Sequence, residues 1–501
     1  MDLAIPRPAQ ARAGKVGLRS PDRAWKVLAV LLMLALASEV FDKDPYLVGG
    51  GVVIPFARFM AVLSLILAML LVSLLRRRAG LGLPSLLKPL FFFWLAGQLS
   101  ILGILWMNAG QREALQLIST TGDPVFRTVE SSTIIQFLRT DAHFTIYILF
   151  VYAILKLADW DRVRFLFRAY YVFGILAAIL AVMQFMHGSF GWLPWMSPYL
   201  LTSSFYRDIG FRASSIFGEP SWAARYYVHW IALSMAFFSI SHKTRYLLFL
   251  GLFGLAFYMA ASLAGYAILL TFVLILAFVR VRSGSHLVPV RARKWVFLGS
   301  CLLVCFLLIS SLFEWSIPML DVPGKLLDRF GVALAGRGGM EVRAESSLAG
   351  LKVWGLSPLF GVGLGNARFH MPQFFSDAQT LVRSYQNADT VYSQVLAELG
   401  VIGFIAFLYF LVKMALPSRQ KAEVAGQPAD MRQAKILLTF LQIDLLAQAV
   451  GMANYGDYLS PPFWLFVSMI LVLQQFVSRR GRSYPGRPGN TQIDNPRMDH
   501  E

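Results

Sequence analysis

Charge is scarce in this sequence, and acidic charge scarcer still: 15% of the 501 residues are charged, with 28 acidic residues against 46 basic ones. Soluble globular chains carry about 25% charged residues, so a water-facing fold of this length is excluded. Only 2 cysteines occur, Cys301 and Cys305, four apart within one apolar run. At that spacing they suit small buried hydrophobes, and they leave neither a disulfide framework nor a cysteine metal site. Long polar low-complexity stretches are also missing ahead of residue 481, which excludes intrinsic disorder for most of the chain.

What is abundant is apolar: 57% of the residues are hydrophobic, with 40 Phe and 12 Trp. Apolar runs fall at about 25–41, 52–75, 86–107, 142–158, 166–186, 221–240, 246–260, 262–280, 295–313, 391–415, 436–456 and 461–478. Each is near the ~20 residues that one helical crossing needs. The expected fold is therefore an all-α polytopic membrane protein of about twelve transmembrane helices. The pair meeting near Gly265 is the hardest to divide, because 246–279 is almost unbroken.

The net charge of +18 lies in the connectors. Arg76, Arg77 and Arg78; Arg162, Arg164 and Arg168; Lys243 and Arg245; Arg280 to Lys294; Lys413 to Lys435; and Arg479, Arg480 and Arg482 all fall in alternate connections. Excess basic residues in alternate loops are a topology signal, so the charge does not call for nucleic acid. Both termini are expected in the cytoplasm, with residues 1–24 a basic leader and 481–501 a disordered tail. Ala35-Leu36-Ala37 ahead of Ser38 also has the form of a signal-peptidase site, and cleavage there stays open.

Three segments then face the exoplasmic side: 108–141, 187–220 and the longest, 314–390, before the tenth span. Glu341 to Trp354 has helical character that Gly355 and Pro358 would end. Three motifs stand out in these segments. Arg212 precedes Phe217-Gly218-Glu219-Pro220-Ser221 at a helix start, where free backbone N–H groups favour an anion and a guanidinium suits phosphate oxygens. An Arg212–Glu219 pair that only orients the loop is the plainer alternative. In the third segment, Arg337, Arg343, Arg368 and Arg383 surround Pro358-Leu359-Phe360-Gly361-Val362-Gly363-Leu364-Gly365-Asn366, whose glycines permit close approach of backbone to a ligand or a packed turn. Asp389 lies just ahead of a helix, in position either to cap it or to face a lipid-borne substrate.

The order of these blocks, followed by Gln394-Val-Leu-Ala-Glu398-Leu-Gly400-Val-Ile-Gly403, resembles the O-antigen ligase and polymerase superfamily of bacterial envelopes over residues 200–415. The resemblance implies an inner-membrane glycosyltransferase acting on undecaprenyl-diphosphate-linked glycans at the periplasmic face, with Arg212 and Arg343 on the diphosphate. The ligase branch usually has a His just before the last block. Here the stretch reads Ala388-Asp389-Thr390-Val391-Tyr392, which favours polymerisation of repeat units into exopolysaccharide or O-antigen.

On this reading fixed positive charge stabilises the departing diphosphate without metal or cofactor. Asp389 is the first choice of base and Glu219 the second. Arg225 and Arg337 extend the diphosphate site, and Tyr392, about one turn from Asp389, orients the substrate. A flippase and a chain-length regulator are the implied partners. His370 reads as a solvated loop residue, Asp42-Lys43-Asp44 as an exposed loop or a divalent-cation site, and Asp444 as a buried charge with no identified partner. Ligation of finished glycan onto lipid A core stays open, as does a transporter or flippase.

Overall fold

The computed structural model describes residues 84–109, 115–119, 124–128, 132–157, 159–193, 205–206, 210–215, 217, 220–283, 331, 339–375, 388, 390–416, 428–454 and 461–483. The expected spans at 25–41, 52–75 and 295–313 lie outside the described residues. So do the basic leader, residues 484–501 of the tail, Asp42-Lys43-Asp44 and both cysteines, while residues 481–483, expected in the disordered tail, continue the last helix.

The other nine runs are helical. α1 (Lys88–Leu99) and α2 (Ile101–Ala109) form one crossing joined at Ser100, followed by α3 (Ser132–Leu157), α4 (Trp160–Phe190), α5 (Pro220–Ser241), α6 (Arg245–Ala260) and α7 (Leu263–Ser283). After α8 (Gly339–Trp354) and the single turn α9 (Ala367–His370) come α10 (Val391–Ala415), α11 (Ala429–Gly451) and α12 (Pro461–Ser483). Among the described residues, 5 helices are long and apolar enough to cross a membrane, and three shorter apolar ones lie in α6, α7 and α12. The chain is a multi-pass membrane protein. The almost unbroken run divides at Ala261, which turns in the left-handed region (φ 44) between α6 and α7.

Three boundaries differ from expectation. α3 begins at Ser132 rather than 142, because Arg139, Asp141 and His143 interrupt the hydropathy without interrupting the helix. Asp141 is accommodated by a hydrogen bond from Gln98 on α1. α4 starts at Trp160, where the Asp159 carboxylate accepts from the Arg162 N–H at 2.9 Å and caps the helix. α11 runs Ala429–Gly451, shifted toward its basic start. Two antiparallel hairpins add strands to the expected all-α fold, β1 (Leu115–Ser119) with β2 (Pro124–Thr128), and β3 (Phe205–Tyr206) with β4 (Gly210–Phe211).

Hydrogen bonds fix which helix ends lie together. At one end Gln475 Nε2 donates to the Leu155 carbonyl (3.1 Å) and Gln474 Nε2 to that of Met414 (3.0 Å), while Trp160 stacks on Phe476. Lys156, Arg164 and Lys413 gather there, making this the basic end. At the other, the loop end, Asn366 Nδ2 donates to the Thr133 carbonyl (3.1 Å) and the Tyr392 hydroxyl to that of Ala449. Between them the bundle packs through aromatic rings: Phe93, Phe144, Phe407, Phe410 and Trp464 join α1, α3, α10 and α12, and Tyr171, Trp230, Tyr246 and Phe253 join α4, α5 and α6. In lipid, where burial of apolar surface gives little drive, such close van der Waals contact is what holds helices together.

Candidate active site

The first motif does not stay in a surface loop. Arg212 Nε donates to the Ala260 carbonyl at 3.0 Å and the Ala213 N–H to that of Met259 at 3.0 Å, both at the end of α6. Ser215 turns with φ 56 and its backbone is satisfied by one side chain: Gln184 Nε2 donates to the Ser215 carbonyl (2.8 Å), and the Ser215 N–H donates to Gln184 Oε1 (2.6 Å). The Ser215 hydroxyl reaches the Ala177 carbonyl, thirteen residues inside the end of α4. Phe217 then stacks on Tyr226 of α5 with centroids 4.5 Å apart. Non-helical backbone at such depth is tolerated only where protein satisfies its polar groups, which is the part Gln184 plays. Arg212 is 6% exposed, held within the loop end of the bundle.

The second motif is also inserted. α8 runs down the side of α10, burying Ser346, Ala349 and Val353, and a Cβ at Gly350 would meet Ala388 and Ser393. The chain turns at Pro358 to Gly363, level with a break in α10 at Gly400 (φ 64, ψ −167). In an unbroken helix the Val401 and Ile402 N–H groups would donate to the Ala397 and Glu398 carbonyls. Here they donate to Pro358 (2.9 Å) and Leu359 (3.4 Å), while Val362 and Gly363 donate to Ala397 (2.8 Å) and Glu398 (3.1 Å). The turn thus takes over the partners of these two N–H groups and two carbonyls. A Cβ on Gly361 would lie 2.3 Å from the Glu398 carbonyl carbon. Of the two readings of these glycines, ligand approach or a packed turn, the packed turn is what forms: they admit α10, α2 and α3.

Beyond the turn, the Leu364 N–H donates to Ser100 Oγ (3.0 Å) and Arg368 Nη2 to Gln136 Oε1 (2.7 Å). Burial lowers the Arg368 guanidinium from its ordinary value, with the nearby Glu398 carboxylate opposing that shift and Arg139 adding to it. His370 is buried, not solvated as expected, because α9 folds back onto α8 and α10. Its Nδ1 has no hydrogen-bond partner among the described residues, and burial pushes the imidazole down to about 4.

A third cluster lies inside the bundle. Asp444 on α11 is fully buried and does have a partner: the Nδ1 of His229 on α5. Gln448 Nε2 donates both to Asp444 Oδ1 (3.3 Å) and to the Arg225 carbonyl (3.3 Å). Arg225, Tyr226, His229, Leu445, Gln448, Phe463 and Phe466 line a cavity near the loop end.

Of the residues assigned to catalysis, diphosphate binding or substrate orientation from sequence, Arg212, Arg225, Arg343 and Tyr392 are described, and all stand at the loop end. Arg343 is half-buried on α8, one turn before Ser346. Tyr392 uses its hydroxyl on Ala449, which pins α10 to α11. Asp389, Glu219 and Arg337 lie outside the described residues. The cap considered for Asp389 is supplied by Thr390, whose Oγ1 accepts from the Ser393 N–H at 3.1 Å. Sequence reasoning missed His229 and Glu398. The first had a signal, since Arg225 and His229 share one face of α5 and Asp444 and Gln448 one face of α11.

Comparison with curated proteins finds no match. Residues 247–408, from early α6 through the inserted turn to the second half of α10, match the family model described as O-antigen ligase. Arg212 and Arg225 precede the matched segment, while Arg343, Asp389, Tyr392 and Gly400 lie within it. That segment is built around the Gly400 break and the turn that repairs it, and its match supports a relation to the O-antigen ligase and polymerase superfamily.

Proposed function

We propose that the protein joins undecaprenyl-diphosphate-linked oligosaccharide repeat units into exopolysaccharide or O-antigen at the periplasmic face of the bacterial inner membrane. The observation that carries this reading is the insertion of both Arg-bearing segments into the same end of the helical bundle, where a lipid-borne substrate presents its polar head. The match of residues 247–408 to the O-antigen ligase family model supports the substrate class, a glycan on a lipid carrier. The residues 388–392, which lack a His, favour polymerisation.

In the reaction the acceptor hydroxyl oxygen bonds to the donor's anomeric carbon, and the bond from that carbon to the diphosphate breaks. The electron pair leaves with the lipid diphosphate, whose charge Arg212 and Arg343 stabilise, with Arg225 and Arg337 extending the positive surface. No cofactor takes part and no metal is required. A base must take the hydroxyl proton, a role for which sequence order nominates Asp389 and then Glu219. Tyr392 acts as a positioning residue, through its hold on α11.

The description of the matched family favours a second reading, ligation of finished glycan onto a lipid A core or another acceptor. Purified protein in proteoliposomes with lipid-linked repeat units separates the two. A ladder of lengthening glycans is expected. Transfer only to an added lipid A core would establish ligation instead, and unconsumed donor with both acceptors present would overturn glycosyl transfer altogether.

A further inference from the structure

A charged side chain on the outer face of a spanning helix is costly unless it reaches the interface or meets an anionic group. The outer face of α3 is apolar at Ile135 and Leu138, which are 65% and 56% exposed, and Arg139 stands exposed on the same face. Arg139 is the eighth residue of α3, about 10 Å along the helix from its start at the loop end. Long side chains on a helix lean toward its N-terminus, which for α3 is the loop end, so this guanidinium is carried toward the lipid headgroups there.

A second guanidinium is fixed close to it. Arg368 Nη2 donates to Gln136 Oε1 at 2.7 Å, Gln136 Nε2 donates to Thr140 Oγ1 at 2.9 Å, and the Arg368 guanidinium lies 5.0 Å from the centre of the Phe369 ring. Arg139 and the Glu398 carboxylate both lie within electrostatic range of Arg368, and His143, one turn from Arg139 on α3, lies within range of Arg139. Asp141, between them in sequence, is drawn to α1 by Gln98. Of the three groups that meet at Arg368, Glu398 is 1% exposed, Arg368 half-buried and Arg139 exposed. Negative charge is kept inside and positive charge faces outward, an arrangement that suits phosphate oxygens. A lipid headgroup needs no closed cavity for this, only guanidinium groups at headgroup depth beside an apolar surface for its chain.

Joining two lipid-linked units brings two diphosphates to the loop end, and the reaction breaks the sugar bond of one of them. Arg212 and Arg343 serve the departing one. Arg212 is held by the end of α6 in a segment that Gln184 of α4 secures, whereas Arg139 and Arg368 stand on α3 and α9. We infer that Arg139 and Arg368 bind the diphosphate of the acceptor, the lipid-linked unit whose sugar hydroxyl attacks and whose own diphosphate stays bonded. This rests on the glycosyl-transfer reading above. No bond to the acceptor's diphosphate changes, so the two arginines set acceptor affinity and position rather than the rate of bond cleavage.

The test uses full-length protein in phosphatidylcholine liposomes, a preformed lipid-linked glycan as donor, and two acceptors: the repeat unit on its lipid diphosphate, and the same oligosaccharide on an uncharged alkyl chain. The parent should saturate at a lower concentration of the diphosphate acceptor. Arg139→Gln and Arg368→Gln should each raise KM for that acceptor by about 10–100-fold, hold kcat within about threefold, and leave KM for the uncharged acceptor unchanged. Arg139→Lys and Arg368→Lys should recover part of the affinity, because the charge remains. Equal KM for the two acceptors in the parent, or an unchanged KM in the Gln variants, would overturn the acceptor site. So would an equal loss of rate with both acceptors in the Gln and Lys variants alike, which would assign the two residues to the fold. Loss of the preference for the diphosphate acceptor on adding phosphatidylglycerol would give the arginines to bulk anionic lipid instead. Each of these results leaves the glycosyl-transfer reading intact; a parent that transfers glycan to neither acceptor would overturn that reading, and the acceptor site with it.

Discussion

The Gly363 N–H donates to the Glu398 carbonyl, an acceptor that α10 would otherwise satisfy with its own Ile402. Ile402 donates instead to Leu359, so loop and helix exchange hydrogen bonds across the Gly400 break. Each group left without a partner in an apolar interior would cost several kcal/mol. The inserted turn is therefore part of the bundle, and α8 with Arg343 is anchored through it.

Gly400→Ala and Gly361→Ala should each loosen this anchorage. Both positions have positive φ (64 and 72), and a Cβ at either would meet backbone atoms. The conformation alone costs about 1–3 kcal/mol before the clash is counted. Lower thermal stability in detergent and faster proteolysis after Arg343 are expected; unchanged melting and cleavage would contradict the exchange of bonds.

How much of this could be read from sequence depended on the range of the interaction. Hydropathy located nine helices because each crossing needs its own apolar run, and it separated α6 from α7 at the turn near Ala261. It placed the start of α3 ten residues late, because Arg139, Asp141 and His143 lower local hydropathy while a neighbouring helix supplies Gln98 to Asp141. Arg212 and Arg343 were legible from residue type and block order. Their insertion was not, since Gln184 on Ser215 and the exchange at Gly400 exist only after the helices have packed. His229 and Asp444 stand 215 residues apart, and no local pattern joins them.

Gln184→Leu should release the Arg212 segment. The Ser215 N–H and carbonyl would both lose their partner, at about 1–3 kcal/mol each. The expected outcome is a lower melting temperature together with loss of elongation, although Gln184 touches no substrate. Normal activity and stability would show that the buried path of residues 212–217 does not depend on it.

Arg343→Ala and Arg212→Ala should each reduce elongation by about 10²–10³-fold with the protein still inserted, the loss expected when one fixed donor to developing charge is removed. Lys at either position should rescue only in part, because a point charge lacks the guanidinium fork. Full rescue by Lys would mean that charge alone matters there.

His370 should make the fold acid-sensitive. Its imidazole titrates at about 4 when folded and near the ordinary 6.5 when unfolded, so between these values the unfolded chain binds more protons. The stabilisation from a neutral, buried His370 is complete above pH 6.5 and is lost as pH falls toward 4. His370→Leu should remove that part of the decline in melting temperature. A variant whose pH dependence runs parallel to the parent's would contradict the burial of a neutral ring.

The most direct measurement counts undecaprenyl diphosphate released against glycosidic bonds formed by purified protein in liposomes. One lipid diphosphate freed for each bond added to a lengthening glycan is the predicted result. Glycan that crosses the bilayer with its length unchanged and its lipid diphosphate still attached would contradict the account.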